Sequence, residues 1–332
     1  MTDDTRTPDF PTVEVTDLVK SYGGVRALAG ISFTVARGEV LGLLGPNGSG
    51  KTTTVSVLST LQRPTSGTAR ICGHDVVADA ARVRELISLT GQYAAVDPGL
   101  TAAENLAVFG RLTGLRGRHL TSRIDDLVDQ FDLGAVRGRR VGHLSGGMRR
   151  RVDIAGALVT RPEVVFLDEP TTGLDPRSRA AVWDTVAGLR DAGITVVLTT
   201  QYLEEADRLA DRIVLLDRGA VVATGSPGQL KSRAGGAVCE ITVADGENAA
   251  RATALLTGFD VVDTGDDPSG PPTEPGRARL VVRAPDGVTT VGEVIARLDG
   301  VGDDGRGVEV VDIGLRRPSL DEVFLQLTDA PA

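Results

Sequence analysis

Gly45-Pro46-Asn47-Gly48-Ser49-Gly50-Lys51-Thr52 brings together the residue types that cradle a phosphate chain. Its glycines let successive backbone N–H groups turn inward, and a helix beginning at the end of the run directs its positive pole at the same anion. Lys51 then reaches the β and γ oxygens, the Thr52 hydroxyl is placed to ligate Mg2+, and Thr53 continues the nucleotide-binding turn. A second chemical element follows far downstream. Val164-Val165-Phe166-Leu167 is an apolar run that ends in two carboxylates, Asp168 and Glu169. A strand this apolar is buried on both faces, so its acidic end opens onto a site. Asp168 is suited to hold Mg2+ directly or through water, and Glu169 is the candidate general base for an attacking water. An acidic helix cap is the plainer reading of the two carboxylates, and the phosphate-binding run upstream argues against it.

A third element narrows the class. Leu144-Ser145-Gly146-Gly147-Met148 sets a helix-starting serine and two glycines ahead of a basic stretch, Arg149-Arg150-Arg151. Alone it reads as an ordinary N-cap. With the phosphate loop and the paired carboxylates, in this order, the chain resembles the ATP-binding cassette (ABC) family. The resemblance implies that the Ser145 hydroxyl and the Gly146 and Gly147 amides bind the γ-phosphate of a nucleotide held by the opposite subunit, so that two chains close on two ATP molecules. It also implies roles for Tyr22, stacking on adenine, for Gln92, sensing Mg2+ and the γ-phosphate, and for Gly173-Leu174-Asp175, forming a dimer contact. These motifs span about residues 12 to 230.

One position departs from the family. Where the last core strand usually leads into a histidine that contacts the γ-phosphate, Leu198-Thr199-Thr200 is followed by Gln201, and the three histidines, His74, His119 and His143, all lie upstream of Asp168. An amide still donates a hydrogen bond to a phosphate oxygen, but it carries neither charge nor a titratable proton. The expectation is a working, slower ATPase.

Three further segments are similar to the daunorubicin/doxorubicin-resistance type of ATPase subunit: Gly91 to Asp97, Thr199 to Ala206, and Pro318-Ser319-Leu320-Asp321-Glu322-Val323-Phe324. That likeness covers nearly the whole chain. It implies export of drug-like or antibiotic molecules through a separate membrane-spanning permease, with the subunit peripheral to the cytoplasmic side of the membrane.

These residues need a scaffold. Val40-Leu41-Gly42-Leu43-Leu44 predicts a buried strand feeding the glycine turn and a helix over about Gly50 to Leu61, and further buried strands are expected over Val164 to Leu167 and Ile194 to Leu198. Pro176 helps to start the helix between the last two, giving a parallel α/β core. Val13 to Val15 and Ile31 to Val35 alternate as half-buried antiparallel strands, and Pro98 to Leu158 reads mostly as a helical insertion. The expected fold class is therefore a P-loop NTPase cassette with an antiparallel β subdomain and a helical subdomain, over about 12 to 233, behind a disordered stretch from 1 to 11.

After Gly225 the pattern changes. Ala234-Gly235-Gly236 predicts a flexible joint. Residues 237 to 332 then offer strand Ala237 to Val243, helix Asn248 to Thr257, strand Asp260 to Val262, strand Arg279 to Arg283, helix Val291 to Leu298 and strand Val308 to Ile313. That order predicts a ferredoxin-like α+β domain, with a mobile loop over Thr264 to Gly276 and an amphipathic final helix over Leu320 to Leu327.

Composition bounds the partners. A net charge of -9 argues against nucleic acid and against direct binding to anionic lipid, leaving membrane contact to another protein. Cys72 and Cys239 lack the paired spacing of a disulfide framework or zinc site. No signal-peptide pattern opens the chain, and no window approaches the roughly 20 apolar residues of a spanning helix. Rival readings are a soluble ABC protein acting on ribosomes or DNA and a nucleotide switch that does not hydrolyse. The first lacks the second cassette, coiled coils or zinc clusters of such proteins, and the presence of Glu169 argues against the second.

Overall fold

The computed structural model of the chain describes residues 11–92, 94–233, 237–263, 276–300, 307–316 and 319–328. It divides after Pro227 into two units. The first opens with β1 (Val13–Tyr22) and β2 (Val25–Val35), then β3 (Val40–Leu44), α1 (Lys51–Leu58), β4 (Ser66–Ile71), β5 (His74–Asp75), α2 (Ala80–Leu86) and β6 (Ile87–Thr90). Three helices follow, α3 (Ala102–Leu112), α4 (Gly117–Gln130) and α5 (Gly146–Ala157). The unit closes with β7 (Val164–Asp168), α6 (Pro176–Asp191), β8 (Thr195–Thr200), α7 (Leu203–Leu209), β9 (Arg212–Asp217) and β10 (Ala220–Gly225).

Two sheets result. One is antiparallel in the order β2-β1-β4-β5, and the other runs β10-β9-β3-β8-β7-β6, parallel except where β10 turns back on β9. The two short strands expected near the start are one long hairpin, paired from Val13 with Val35 out to Tyr22 with Val25. Its tip turns on Gly23 and Gly24, both at positive φ, where a side chain would be strained. The polar Lys20, Ser21 and Arg26 near the tip, the first two half-buried and the last exposed, hide the strand period, which is why only the buried ends were legible.

Strand β7 shows how the core forms. Val164 and Phe166 pack into one hydrophobic cluster and Val165 and Leu167 into the other, since successive side chains point to opposite faces. Burial on both faces accounts for the unbroken apolar run, each such side chain contributing about 1.5–3 kcal/mol. Strand β8 extends past the expected Leu198 because Thr199 pairs with Asp168 and Thr200 with Leu44. Helix α1 stops at Leu58, short of Leu61, because Thr60 turns left-handed at φ 65°. The helical stretch breaks at Gly114 and again at Asp132, both at positive φ. Its first helix begins with a reciprocal cap between Thr101 and Glu104.

The second unit contains most of α8 (Pro227–Arg233), then β11 (Val238–Val243), α9 (Gly246–Leu255), β12 (Val261–Asp263), β13 (Ala278–Arg283), α10 (Val288–Leu298), β14 (Val310–Arg316) and α11 (Leu320–Thr328). Its sheet, β12-β13-β11-β14, is antiparallel throughout, the strand order of the expected split βαβ sandwich. Cys239, Ile241 and Val243 pack with Ala252, Leu280, Val282, Val294 and Leu298 into a separate core. Asp245 caps α9 by accepting the Asn248 amide, which starts that helix two residues early, and α10 begins at Val288 rather than Val291. The expectations for Met1 to Phe10, for the joint at 234–236 and for the loop at 264–275 lie outside the described residues.

Candidate functional site

Strands β7, β8 and β3 lie side by side, so their carboxyl ends carry Asp168, Thr200 and the glycine turn to one edge of the sheet. That edge is where an open parallel sheet binds ligands. The turn is shaped by close approach. A Cβ on Gly45 would stand 2.2 Å from the Leu216 carbonyl oxygen, and one on Gly50, at φ 108°, would stand 2.7 Å from Leu28 Cδ2. Gly50 precedes α1 and no side chain caps the helix, which leaves its first amides for a ligand.

Lys51 is 4 % exposed. Its Nζ donates to the carbonyls of Gly45 (2.7 Å) and Pro46 (3.1 Å) and lies 3.7 Å from Glu169 Oε1. Burial holds the ammonium below its ordinary pKa, against the pull of Glu169 and Asp168. A desolvated cation with one carboxylate at this range is suited to receive phosphate oxygens. The Ser49 hydroxyl is buried without a hydrogen-bond partner, a second group in the turn fitted to an anion.

Asp168 Oδ1 accepts from Thr199 Oγ1 and lies 3.4 Å from the exposed Thr52 Oγ1. A carboxylate beside a hydroxyl at the phosphate end of the turn is an oxygen donor pair that suits Mg2+, which otherwise keeps water and phosphate ligands. No group of three or more His, Cys, Asp or Glu among the described residues could hold a metal by itself. Glu169 sits at φ 47°, left-handed for a non-glycine residue. Its amide donates to the Thr199 carbonyl (3.1 Å) and hydroxyl (3.0 Å), and Thr172 Oγ1 donates to its Oε2 (3.1 Å). Two contacts, from Thr172 and Lys51, thus hold a carboxylate that is 12 % exposed, while the two amide bonds fix its backbone.

Other expected residues stand at the surface. Tyr22 is 44 % exposed at the hairpin tip, with Lys20 Nζ 4.8 Å from its ring centroid. Gln92 is exposed just beyond β6, and Gln201 is half-buried just beyond β8. Ser145 caps α5 by accepting the Met148 amide at 3.3 Å, and it and Gly146 are exposed. Gly147 is buried because a Cβ there would meet Ser178 at 2.9 Å. Asp175 caps α6 by accepting the Ser178 amide at 3.0 Å, and hydrogen bonding from Ser178 holds its carboxyl below the usual range. The structure therefore joins Lys51, Thr52, Asp168 and Glu169 by direct contacts, and displays Tyr22, Gln92, Ser145, Gly146 and Asp175 outward.

Five residues of this neighbourhood were not singled out from sequence: Thr172, Thr199, Glu205, and the pair Arg150 and Asp153. Thr199 touches Asp168 only through the strand order, which no local pattern reveals, whereas Thr172 reaches Glu169 from three residues further along the same loop. Glu205, fully buried, accepts from Trp183 Nε1 at 2.9 Å. Arg150 and Asp153 did carry a signal, opposite charges three apart on a helix, masked by the flanking arginines.

The sequence pattern described as "ABC transporter" matches residues 28–172. The doxorubicin resistance ATP-binding protein DrrA of Mycobacterium tuberculosis is 49 % identical over 97 % of this chain and 95 % of its own length. The daunorubicin/doxorubicin resistance ATP-binding protein DrrA of Streptomyces peucetius is 47 % identical over 96 % and 93 %. Among solved structures, the dimeric ATP-binding cassette MJ0796, in a post-hydrolysis state bound to ADP and Pi, superposes with a TM-score of 0.58 at 26 % identity, covering 64 % of this chain and 98 % of its own.

Proposed function

The chain belongs to the ABC transporter family of ATP-binding subunits, and on that premise we propose that it powers export of drug-like, antibiotic-type molecules as a pair of copies bound to a separate membrane-spanning permease. Among the described residues no helix is long and apolar enough to cross a membrane. In this reading the permease supplies the spans and the substrate path, and the subunit sits peripherally on the cytoplasmic side.

The convergence of Lys51, Thr52, Asp168 and Glu169 at one sheet edge carries the catalytic part of the reading. Residues Gly45 to Thr53 hold the phosphate chain of ATP, and Tyr22 stacks on the adenine. Water attacks the γ-phosphorus, its proton passes to Glu169, and the bond to the β-phosphate oxygen breaks to leave ADP and inorganic phosphate. Lys51 meets the β and γ oxygens, and the Gln201 amide donates to a γ oxygen. Mg2+ held by Thr52, Asp168 and Gln92 would neutralise charge on the β and γ oxygens. Ser145, Gly146 and Gly147 complete the site across the dimer, with Asp175 at the contact between copies; the exposure of Ser145, Gly146 and Asp175 leaves them open to a second chain.

Glu169→Gln tests the assignment. It should abolish phosphate release while ATP still binds, and with ATP and Mg2+ it should shift the chain to a stable dimer that crosslinks between position 145 of one copy and the phosphate turn of the other. Hydrolysis at the parent rate would remove Glu169 from the mechanism, and a variant that stays monomeric with bound ATP would remove the dimer.

A further inference from the structure

Helix α5 does more than present Ser145, Gly146 and Gly147 at its tip. One turn further along, Arg150 and Asp153 face inward, 5 % and 3 % exposed, with Arg150 Nη1 3.0 Å from Asp153 Oδ2. Placing both charges out of water is expensive, and an ion pair alone does not repay it. Both side chains also bond the backbone of one segment, although Arg150 Nε is left without a partner. Arg150 Nη1 also donates to the Gly91 carbonyl at 2.7 Å, and Asp153 Oδ1 accepts from the Ala95 amide at 2.8 Å. Residues 91 and 95 bracket Gln92, and the described residues of that stretch belong to no helix or strand. Arg150 Nη2 reaches a third point, the Asp168 carbonyl, at 3.5 Å.

From this geometry we infer that Arg150 and Asp153 are positioning residues for Gln92: a two-sided clamp that fixes the Gln92 segment against the end of β7 and makes its place follow that of α5. The inference rests on the proposed role of Gln92 at the nucleotide. A planar fork is needed, because one guanidinium must serve the Asp153 carboxylate, the Gly91 carbonyl and the Asp168 carbonyl at once. A lysine would keep the charge and lose that span. The clamp also reaches the site from the outside. It touches Asp168 only at the main-chain carbonyl, so its loss moves Gln92 without removing any side chain from the site.

The test is a double-mutant cycle on the full-length chain between Arg150→Lys and Gln92→Ala, reading kcat and KM for ATP with Mg2+ and the thermal unfolding midpoint. Arg150→Lys should lower kcat by about tenfold, leave KM within about twofold and barely move the midpoint; in the Gln92→Ala background it should cost less than about twofold. Equal losses of kcat with and without Gln92 would overturn the inference, as would a fall in kcat matched by a fall in midpoint. If Arg150→Lys does not fold, Asp153→Asn takes its place, since it keeps an oxygen for the Ala95 amide and weakens the grip on Arg150, with the same two outcomes. A parent chain that hydrolyses no ATP would instead refute the ATPase reading. Gln92→Ala at the parent rate, beside a slow Arg150→Lys, would show that Arg150 does not act through Gln92.

Discussion

Single residues set the chemistry and its rate. Gln201 stands half-buried directly after Thr200, which pairs with Leu44 at the mouth of the phosphate turn. An amide there contributes a hydrogen bond without charge. Gln201→His should therefore raise kcat by several-fold and add a pH dependence near pH 6.5, the ordinary imidazole value, that the parent lacks; kcat profiles of the two proteins from pH 5.5 to 8.5 would check both. Glu205 makes a stability prediction. Burial pushes its carboxyl up, so the folded chain holds the proton more tightly than the unfolded chain does. The stability this contributes is fully present below the unfolded value, about 4.3, and is lost as pH rises through the folded value. Glu205→Gln keeps an acceptor for Trp183 and has nothing to ionise. Its unfolding midpoint should gain on that of the parent between pH 5 and pH 8, and a gap that narrows over this range would mean that burial is not the dominant influence on the group.

Elements decide how closely those residues approach one another. Helices α5 and α6 and the loop before α6 meet through glycine: a Cβ on Gly147 would lie 2.9 Å from Ser178 Cβ, and one on Gly146 2.8 Å from Leu174 Cδ2. Gly147→Ala should destabilise the chain by about 1–3 kcal/mol through overpacking and push the tip of α5 outward. Calorimetric unfolding would give the first effect, and weaker dimer formation by a chain that also carries Glu169→Gln would give the second. At the phosphate turn the same logic is harsher, since the Cβ of Gly45→Ala would meet a backbone carbonyl at 2.2 Å that no rotamer change relieves. Part of this scale was legible in the sequence. The buried strands β3 and β7 show as unbroken apolar runs because both of their faces are covered, whereas the caps at Thr101 and Asp245, which set where α3 and α9 start, were found only in the structure. The outer half of the β1–β2 hairpin was not legible, because its polar Lys20, Ser21 and Arg26 lack alternation and only pairing with the opposite strand makes them a sheet.

At the scale of the whole molecule, the two units have separate cores, one built from residues up to Leu216 and the other from Ala237 to Leu315. A chain ending at Arg233 should therefore fold with a single unfolding transition and hydrolyse ATP within about threefold of the parent rate, the usual behaviour of a unit with its own core. A truncated chain that aggregates or loses ATPase activity would mean that the second unit completes the first. Local pattern alone determined that this protein has a phosphate turn on a buried strand, a pair of carboxylates ending another, and an α/β cassette followed by an α+β unit, because burial on both faces, glycine turns and helix caps are written in neighbouring residues. What only the tertiary structure decided is which distant groups meet: Thr199 on Asp168, Lys51 on Glu169, and Arg150 and Asp153 on either side of Gln92. Strand order and helix packing make those contacts across tens of residues, and no spacing along the chain encodes the order in which strands lie side by side.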